Sequence, residues 1–282
     1  MSNTLQAFLF LARMIEIPEF NEEYNVNNRI NQVGDSLEYF IKNLYSNGNE
    51  TFNNEEVFSY HGSKNNPPDA ILRNGDAIEI KKIQKENVDI ALNSSHPKDK
   101  LWRDDPLIID KCRNCEGDTW TYKDILYTIG IVPNRQLNGL WMVYGDCFAG
   151  SKEQYTVIKE SISTGISEIG LTISPTKEIA RLNNIDLLGI TNLRIRAMWH
   201  IKNPSHIFST LNLNVTSDFY AHLIMTRTKF ESFSQADQQA ILELCHEEPT
   251  IITCRTVNIT NPNHLDETIE AVVISINRNF NN

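Results

Sequence analysis

The sequence is poor in cysteine and has no long apolar run, and each absence excludes a class of protein. Five cysteines among 282 residues are an odd number, and they form no disulfide framework for a chain of this length. We therefore expect a reducing, cytoplasmic location. No run of about 18 apolar residues occurs, so neither a transmembrane helix nor a membrane partner is expected. Residues 1–20 have an apolar patch without a basic leader or a small-residue cleavage site, which predicts a first helix and not a signal peptide.

Positive charge is also scarce. The chain has 26 Lys and Arg against 36 Asp and Glu, a net charge of −10, which by itself argues against a nucleic-acid partner. Two segments differ: residues 71–103 carry seven basic against five acidic residues, a net of +2, and residues 177–202 carry five against two, a net of +3. Two basic segments facing one cleft of an acidic body would bind a polyanion. The alternative is two ordinary mixed surfaces.

The apolar pattern predicts an α/β (α+β) fold. Hydrophobic residues make up 40% of the chain, enough for one large domain or two small ones. Apolar residues recur at helical spacing in residues 29–45, 151–168 and 235–245. Segments typical of strands are residues 56–62, 69–73, 76–83, 124–133, 139–150, 193–201 and 250–259. Because strands concentrate in the middle and helices lie on either side, we expect a central mixed β-sheet flanked by helices.

The stretch NPPDAILRNGDAIEIKK reads as a hairpin, and its loop length decides which side chains share a face. With a loop of two residues, Asp69 and Glu79 would point to opposite faces of the sheet. With a loop of three residues, Arg73 to Gly75, Asp69 lies opposite Glu79, and Lys81 points to the same side. We predict the three-residue loop, with Gly75 at positive φ.

Two opposed carboxylates repel each other, and a divalent cation removes the repulsion. Mg²⁺ prefers hard oxygen ligands, and in such a site it binds phosphate oxygens and activates water. We therefore predict that Asp69 and Glu79 hold Mg²⁺ and that Lys81 stabilises charge developing on a phosphate. The alternative is a solvated hairpin in which Glu79 pairs with Lys81 or Lys82.

The same residues resemble a known signature. Pro68-Asp69 and Glu79-Ile80-Lys81 occupy the slots of the PD-(D/E)xK nuclease motif. Five blocks are similar to successive blocks of NgoPII-type restriction endonucleases, between about residues 27 and 204: NNRINQVGDSLEYFIKNLY, NPPDAILRNGDAIEIKKI, ALNSSHPKDKL, YTIGIV and ITNLRIRAMWHIKNP.

The resemblance implies a PD-(D/E)xK, restriction-endonuclease-like core in a single domain spanning residues 1–282, with the catalytic core at about residues 27–150. It implies a type II enzyme that cleaves double-stranded DNA at a short palindromic site with Mg²⁺. The NgoPII prototype reads GGCC, so the implied site is GGCC. A two-fold homodimer would match the symmetry of such a site, and the cell would need a cognate DNA methyltransferase to protect its own sites.

Further catalytic and DNA-binding residues are expected around this core. Many nucleases of this superfamily bring a carboxylate from an early helix, which here implies Glu38; the alternative is a plain surface glutamate. Lys82 is solvent-facing or contacts a phosphate. The segment at about residues 92–103 supplies polar side chains able to bond phosphates or base edges, namely Asn93, Ser94, Ser95, His96, Lys98 and Lys100.

The segment at about residues 177–204 is the best candidate for base reading. Arg194 and Arg196 alternate onto one face of a predicted strand, and arginine bidentate to guanine is the commonest specific major-groove contact. The alternative is that both arginines face phosphates or form ion pairs. Trp199, on the other face, is expected in the core.

Two points stay open. Cys112 and Cys115 form half of a zinc-ribbon spacing, but the second pair is missing, so two free thiols are the default. A repair or recombination nuclease of the same superfamily, or a DNA-binding protein without cleavage, are the alternative functions. Digestion of plasmid DNA with Mg²⁺ separates these functions. Discrete bands indicate a restriction endonuclease, smearing or structure-specific nicking a repair or recombination nuclease, and a gel shift without cutting a DNA-binding protein.

Overall fold

The computed structural model describes residues 2–16, 19–20, 32–48, 54–63, 66–92, 95–168, 172–174, 176, 178–247 and 251–280. Within these ranges the chain forms eight α-helices: α1 (Thr4–Arg13), α2 (Gln32–Tyr45), α3 (Asn54–Val57), α4 (Asp110–Arg113), α5 (Lys152–Glu168), α6 (Pro204–Ile207), α7 (Arg227–Glu231) and α8 (Gln235–Leu244). The predicted first helix is present, and the three predicted amphipathic helices are confirmed as α2, α5 and α8. None of the described helices is long and apolar enough to cross a membrane.

Thirteen strands are described alongside them. They are β1 (Phe58–Ser63), β2 (Asn66–Leu72), β3 (Ala77–Ile83), β4 (Ile90–Leu92), β5 (Lys100–Trp102), β6 (Tyr122–Ile131), β7 (Gly139–Tyr144), β8 (Ala180–Leu182), β9 (Leu193–Ile195), β10 (Trp199–Ile201), β11 (Phe219–Thr226), β12 (Ile252–Asn261) and β13 (His264–Arg278). The strands predicted at residues 56–62, 69–73, 76–83, 124–133, 139–150 and 250–259 are confirmed as β1, β2, β3, β6, β7 and β12. Strands β4, β5, β8, β11 and β13 were not predicted.

The main sheet is mixed, as predicted. Its order is β1-β2-β3-β6-β7-β11-β13-β12, and β5 pairs with the start of β6. The β3–β6 and β7–β11 pairs are parallel, and the other pairs are antiparallel. Because β6 and β11 are buried along almost their whole length, the centre of the sheet is covered on both faces, which explains their nearly continuous apolar sequences.

Helices pack against one face of the sheet. Asn3 begins α1, where its side chain accepts a hydrogen bond from the backbone N–H of Gln6 (3.1 Å), a contact typical of a helix N-cap. Helices α1, α2 and α8 bury apolar residues against the sheet, among them Leu5, Phe8, Leu37, Ile41 and Ile241. Shorter elements cover the opposite face and contribute Ile90, Leu101, Cys112, Ile201 and Phe208 to a second apolar core.

The hairpin between β2 and β3 has the predicted three-residue loop. The backbone N–H of Leu72 donates to the carbonyl of Asp76 (2.9 Å), and Ala70 pairs with Ile78. The predicted positive φ at Gly75 is wrong: the left-handed residue is Asn74, with φ 55°. Asparagine tolerates this conformation, and Glu116 accepts a hydrogen bond from its backbone N–H (2.7 Å).

The single strand predicted at residues 193–201 is divided into two. Strand β9 pairs with β8 to form a small separate hairpin, whereas β10 pairs with β4. Residues 196–198 between them belong to no strand. The chain therefore changes partner within one alternating stretch. Trp199 is partly buried against the second core, close to the expected core position.

Candidate active site

Asp69, Glu79 and Lys81 lie on one face of the β2–β3 hairpin. Continuing the register of Ala70 and Ile78 by one residue places Asp69 beside Glu79. Two residues further along β3, the Nζ of Lys81 lies 2.5 Å from a carboxylate oxygen of Glu79. The carboxylate of Asp69 accepts a hydrogen bond from the backbone N–H of Ile80 (2.6 Å), which holds it in place. The three side chains predicted from the motif are thus brought together.

The pKa values of Asp69 and Lys81 are both raised above their usual values. Burial and the neighbouring Glu79 raise the pKa of Asp69 to about 7. Burial acts to lower the pKa of Lys81, but the two carboxylates outweigh it and raise that pKa above its usual value. Lys81 is therefore held as a cation, while the two acidic side chains compete for one compensating charge.

The backbone around Asp69 is closely packed against β1. The Pro67–Pro68 peptide bond is cis, and the pairing of β1 with β2 is irregular between His61 and Ser63. Gly62 lies in this irregularity: a Cβ there would lie 2.2 Å from the carbonyl oxygen of Pro68 and 3.0 Å from the Cα of Asp69. Only glycine permits this approach, so Gly62 is a residue of the site that the motif did not indicate.

Glu38 of α2 lies within electrostatic reach of this centre. Its charge contributes to the raised pKa values of both Asp69 and Lys81. Its carboxylate is paired with Lys42 at 2.5 Å. His61 is half-buried, and burial is the main cause of its lowered pKa. The charge of Lys42 lowers that pKa further, and the charge of Glu38 raises it. No spacing in the sequence indicates His61 as a residue of this site.

The donor set fits a hard divalent cation with two protein ligands. No group of three or more His, Cys, Asp or Glu suited to a metal occurs among the described residues, so the carboxylate of Glu38 does not complete such a group here. Two carboxylates on one face, one of them with a strongly raised pKa, are the arrangement that a cation relieves. Mg²⁺ commonly keeps several waters and takes only one or two carboxylates.

A small cavity connects Glu79 with the candidate segment at residues 92–103. Glu79, Ser95, His96 and Lys98 line it, together with Pro67, Pro68 and Tyr127. Asn93 and Ser94 lie outside the described residues. His96 stacks on Tyr155 of α5 at 4.7 Å and meets Trp199 edge-on at 6.1 Å, and burial lowers its pKa to about 4. His96 is therefore a neutral ring within an aromatic cluster and not a free cation.

The lysines of this region occupy different environments. Lys98 is buried and its Nζ lies 2.6 Å from Asp105, so its expected contact with DNA does not fit this position. The physical reason is that removing the ammonium group would leave a buried carboxylate unpaired. Lys100 is half-buried and pairs with Asp124 at 2.7 Å. Lys82 lies next to Lys81 but points to the other face of the sheet, and burial lowers its pKa.

Arg194 and Arg196 are exposed and share one carboxylate. Arg194 donates two hydrogen bonds to Glu178 (2.8 and 2.6 Å), and the Nε of Arg196 donates a third (2.5 Å). Arg181 of β8 pairs directly with Arg194 of β9, so the two side chains point to the same face. Glu178 and Arg181 were not singled out from the sequence, although both lie within its predicted recognition segment.

The two cysteines considered for zinc are free thiols. Cys112 is buried, and burial raises its pKa to about 12. The Sγ of Cys115 accepts a hydrogen bond from Ser59 (3.7 Å). Neither thiol belongs to a metal-binding group among the described residues.

Comparison with known proteins agrees with this geometry. The model of a family described as NgoPII restriction endonuclease matches residues 2–260. The type II restriction enzyme NgoPII of Neisseria gonorrhoeae is 42% identical over 247 residues, covering 84% of this chain and 86% of that protein. No solved structure gives a significant match. The chain therefore belongs to the NgoPII restriction endonuclease family and is a type II site-specific deoxyribonuclease.

Proposed function

We propose that Asp69, Glu79 and Lys81 form the catalytic centre of an Mg²⁺-dependent endonuclease that cuts both strands of DNA at a short palindromic site, GGCC. The observation that carries this proposal is the convergence of two carboxylates and a lysine on one face of the β2–β3 hairpin. Restriction endonucleases generally use divalent metal ions, and the raised pKa of Asp69 supports a cation at this place.

Asp69 and Glu79 would hold the cation. When bound there, it supplies polarisation of a phosphate oxygen and activation of water. The Ile80 N–H keeps the Asp69 carboxylate oriented, which reduces the freedom lost on binding. Lys81 remains protonated beside Glu79 and would stabilise negative charge that develops on the phosphate. Glu38 would contribute a further negative charge from α2.

Readout of G·C pairs is assigned to Arg194 and Arg196. Both arginines form ion pairs with Glu178, as the alternative interpretation expected. Their exposed outer donors support a role in readout, because guanine is read by paired N–H donors of arginine. The residues at 92–103 that remain exposed enough for phosphate contacts are Ser95 and Lys100. Lys82, expected from the sequence to face solvent or a phosphate, points to the face of β3 opposite Asp69 and Glu79, so no contact in the active site is assigned to it. Asn93 and Ser94 stay candidates from the sequence alone.

The assembly and its cellular setting follow from a palindromic target. One centre cuts one strand, so a two-fold homodimer on DNA would supply both cuts. Sedimentation on a cognate duplex tests this, and a single chain bound there would contradict it. We also propose a cytoplasmic location and a companion DNA methyltransferase that protects the cell's own sites.

Digestion of plasmid DNA tests the function. With Mg²⁺ we expect discrete fragments whose sequenced ends all derive from GGCC, and no cutting in EDTA. Asp69→Ala and Glu79→Ala should abolish cleavage but retain DNA binding in a gel shift, whereas Asp266→Asn, an exposed carboxylate on β13, should cut normally. Smeared or structure-specific products would indicate a repair nuclease, and binding without cutting would indicate a DNA-binding protein.

A further inference from the structure

Glu178 is the common anchor of the two candidate reading residues. Its Oε2 accepts from the Nε of Arg194 at 2.8 Å, and its Oε1 accepts from Nη2 of Arg194 at 2.6 Å. The same Oε1 accepts from the Nε of Arg196 at 2.5 Å. One carboxylate therefore fixes two guanidinium groups through three charge-assisted hydrogen bonds, which are stronger than neutral ones.

The contacts engage the inner edges of both arginines. A guanidinium has five N–H donors. In the described part of the chain, Arg194 uses Nε and one donor of Nη2 toward Glu178, and Arg196 uses only Nε. The outer edge of each group, formed by the two terminal nitrogens, keeps donors for another partner. Two parallel donors at such an edge match O6 and N7 of guanine.

Exposure differs between the anchor and the groups that it holds. The Glu178 side chain is 16% exposed, against 54% for Arg194 and 66% for Arg196. The carboxylate thus lies behind the arginines, and their guanidinium groups face outward. A long side chain that is already held loses less conformational freedom when it binds.

The surrounding face has net positive charge. Arg181 lies opposite Arg194 in the β8–β9 hairpin, and its Nε contacts Asn183 (3.3 Å), not Glu178. Three arginines against one glutamate leave this face attractive to DNA. Glu178 carries the one negative charge among these four residues, and that charge weakens the attraction to DNA.

We propose that Glu178 is a positioning residue for sequence readout: it holds Arg194 and Arg196 so that their outer edges meet bases, without itself touching DNA. This inference rests on the proposed function, since it requires that these arginines read bases. It assigns to Glu178 a contribution to selectivity and a simultaneous cost in affinity, because its charge repels phosphates.

The two contributions have opposite signs, and this makes the inference testable. In Glu178→Gln the arginines are released and one negative charge is removed. We expect binding in EDTA to tighten for the single-substituted duplexes, while the preference for the cognate over these duplexes falls roughly tenfold or more. Loss of a merely structural contact would weaken binding and cleavage together.

The experiment compares Glu178→Gln with Glu160→Gln, an exposed carboxylate on α5 that serves as the charge control. Binding constants in EDTA and cleavage rates with Mg²⁺ are measured on the cut duplex and on each single substitution of it. Glu160→Gln should leave the preference unchanged. In an Arg196→Ala background, Glu178→Gln should change the preference less than in the native chain, because part of what it positions is gone.

Three results would overturn the inference. An unchanged preference in Glu178→Gln, while Arg194→Ala or Arg196→Ala lowers it, leaves the arginines as readers and removes Glu178 from readout. Weaker binding to every duplex in Glu178→Gln indicates a structural role. An unchanged preference in both arginine variants refutes readout by these arginines, and the role of Glu178 is refuted with it.

Discussion

Lys81 and Lys82 are neighbours in the sequence, but they lie on opposite faces of β3. Lys81 pairs with Glu79 at 2.5 Å, whereas Lys82 lies on the face where Ile80 packs against the helices. We expect Lys81→Met to lower the single-turnover cleavage rate by roughly 10²–10³-fold, the usual loss when one charge-stabilising donor is removed. Lys82→Met is the matched control and should change the rate by much less. Equal losses of cleavage rate in both variants would show that the face of β3 on which a lysine lies does not decide whether it contributes to cleavage.

The shared face of Asp69, Glu79 and Lys81 could be predicted from the sequence because parity along a strand is a local rule. The loop length alone decided whether Asp69 and Glu79 share a face, and three residues were correctly predicted. The position of the left-handed residue was not predictable in this way. In the structure, the N–H of Asn74 donates to Glu116, a residue 42 positions away that is itself paired with Lys123, and such a distant contact has no local signal.

At the scale of the element, the close contact of β1 with β2 should matter for catalysis. A Cβ on Gly62 would collide with the Pro68 carbonyl and press on Asp69. Gly62→Ala should therefore displace Asp69, lower the cleavage rate by tenfold or more, and reduce the free energy of unfolding by about 1–3 kcal/mol, as overpacking does. Cleavage assays and urea denaturation measure the two effects.

Gly165→Ala is the control for this substitution. Gly165 lies in α5, and nothing lies within 4 Å of a Cβ built on it. Alanine there should keep the cleavage rate and add up to about 1 kcal/mol of stability through its higher helix propensity. If Gly62→Ala cut as fast as the native chain, the contact between Gly62 and the Pro68 carbonyl would have no catalytic importance.

Some elements were not predictable because their partners are distant in sequence. Strand β11 lies between β7 and β13, and seven of its eight residues are buried. Its mostly apolar sequence has no period that separates a strand from a buried helix. The stretch at residues 193–201 alternates as one strand does. It is divided because β9 has β8 as its partner whereas β10 has β4.

At the scale of the whole molecule, the fold brings the two basic segments together. Strand β10, at the end of the second segment, pairs with β4 in the first, and Trp199 contacts His96 and Tyr155. The segments are more than 70 residues apart in sequence, so composition alone left open whether they were neighbours. This adjacency brings basic residues of both segments into one region of a chain whose net charge is −10.

A buried histidine should make the stability of the molecule depend on pH. His222 of β11 is fully buried; its Nε2 donates to the Asn214 carbonyl (2.9 Å) and its Nδ1 accepts from Ser275 (2.9 Å). Because a carbonyl only accepts hydrogen bonds, Nε2 carries the hydrogen in this arrangement, and this contact by itself raises the pKa of the ring. Burial lowers its pKa to about 4. In the unfolded chain a histidine takes up its proton near pH 6.5.

Between these two pKa values the unfolded chain binds more protons than the folded one, so stability must fall as pH falls from about 6.5 to about 4. For His222 alone the loss is on the order of 3 kcal/mol. His222→Gln removes this titration. The variant should be less stable than the native chain at pH 7, through its altered buried contacts, but the difference should narrow by that amount toward pH 4. Urea denaturation in steps from pH 7 to pH 4 measures it, and a constant difference would show that folding leaves the pKa of His222 unchanged.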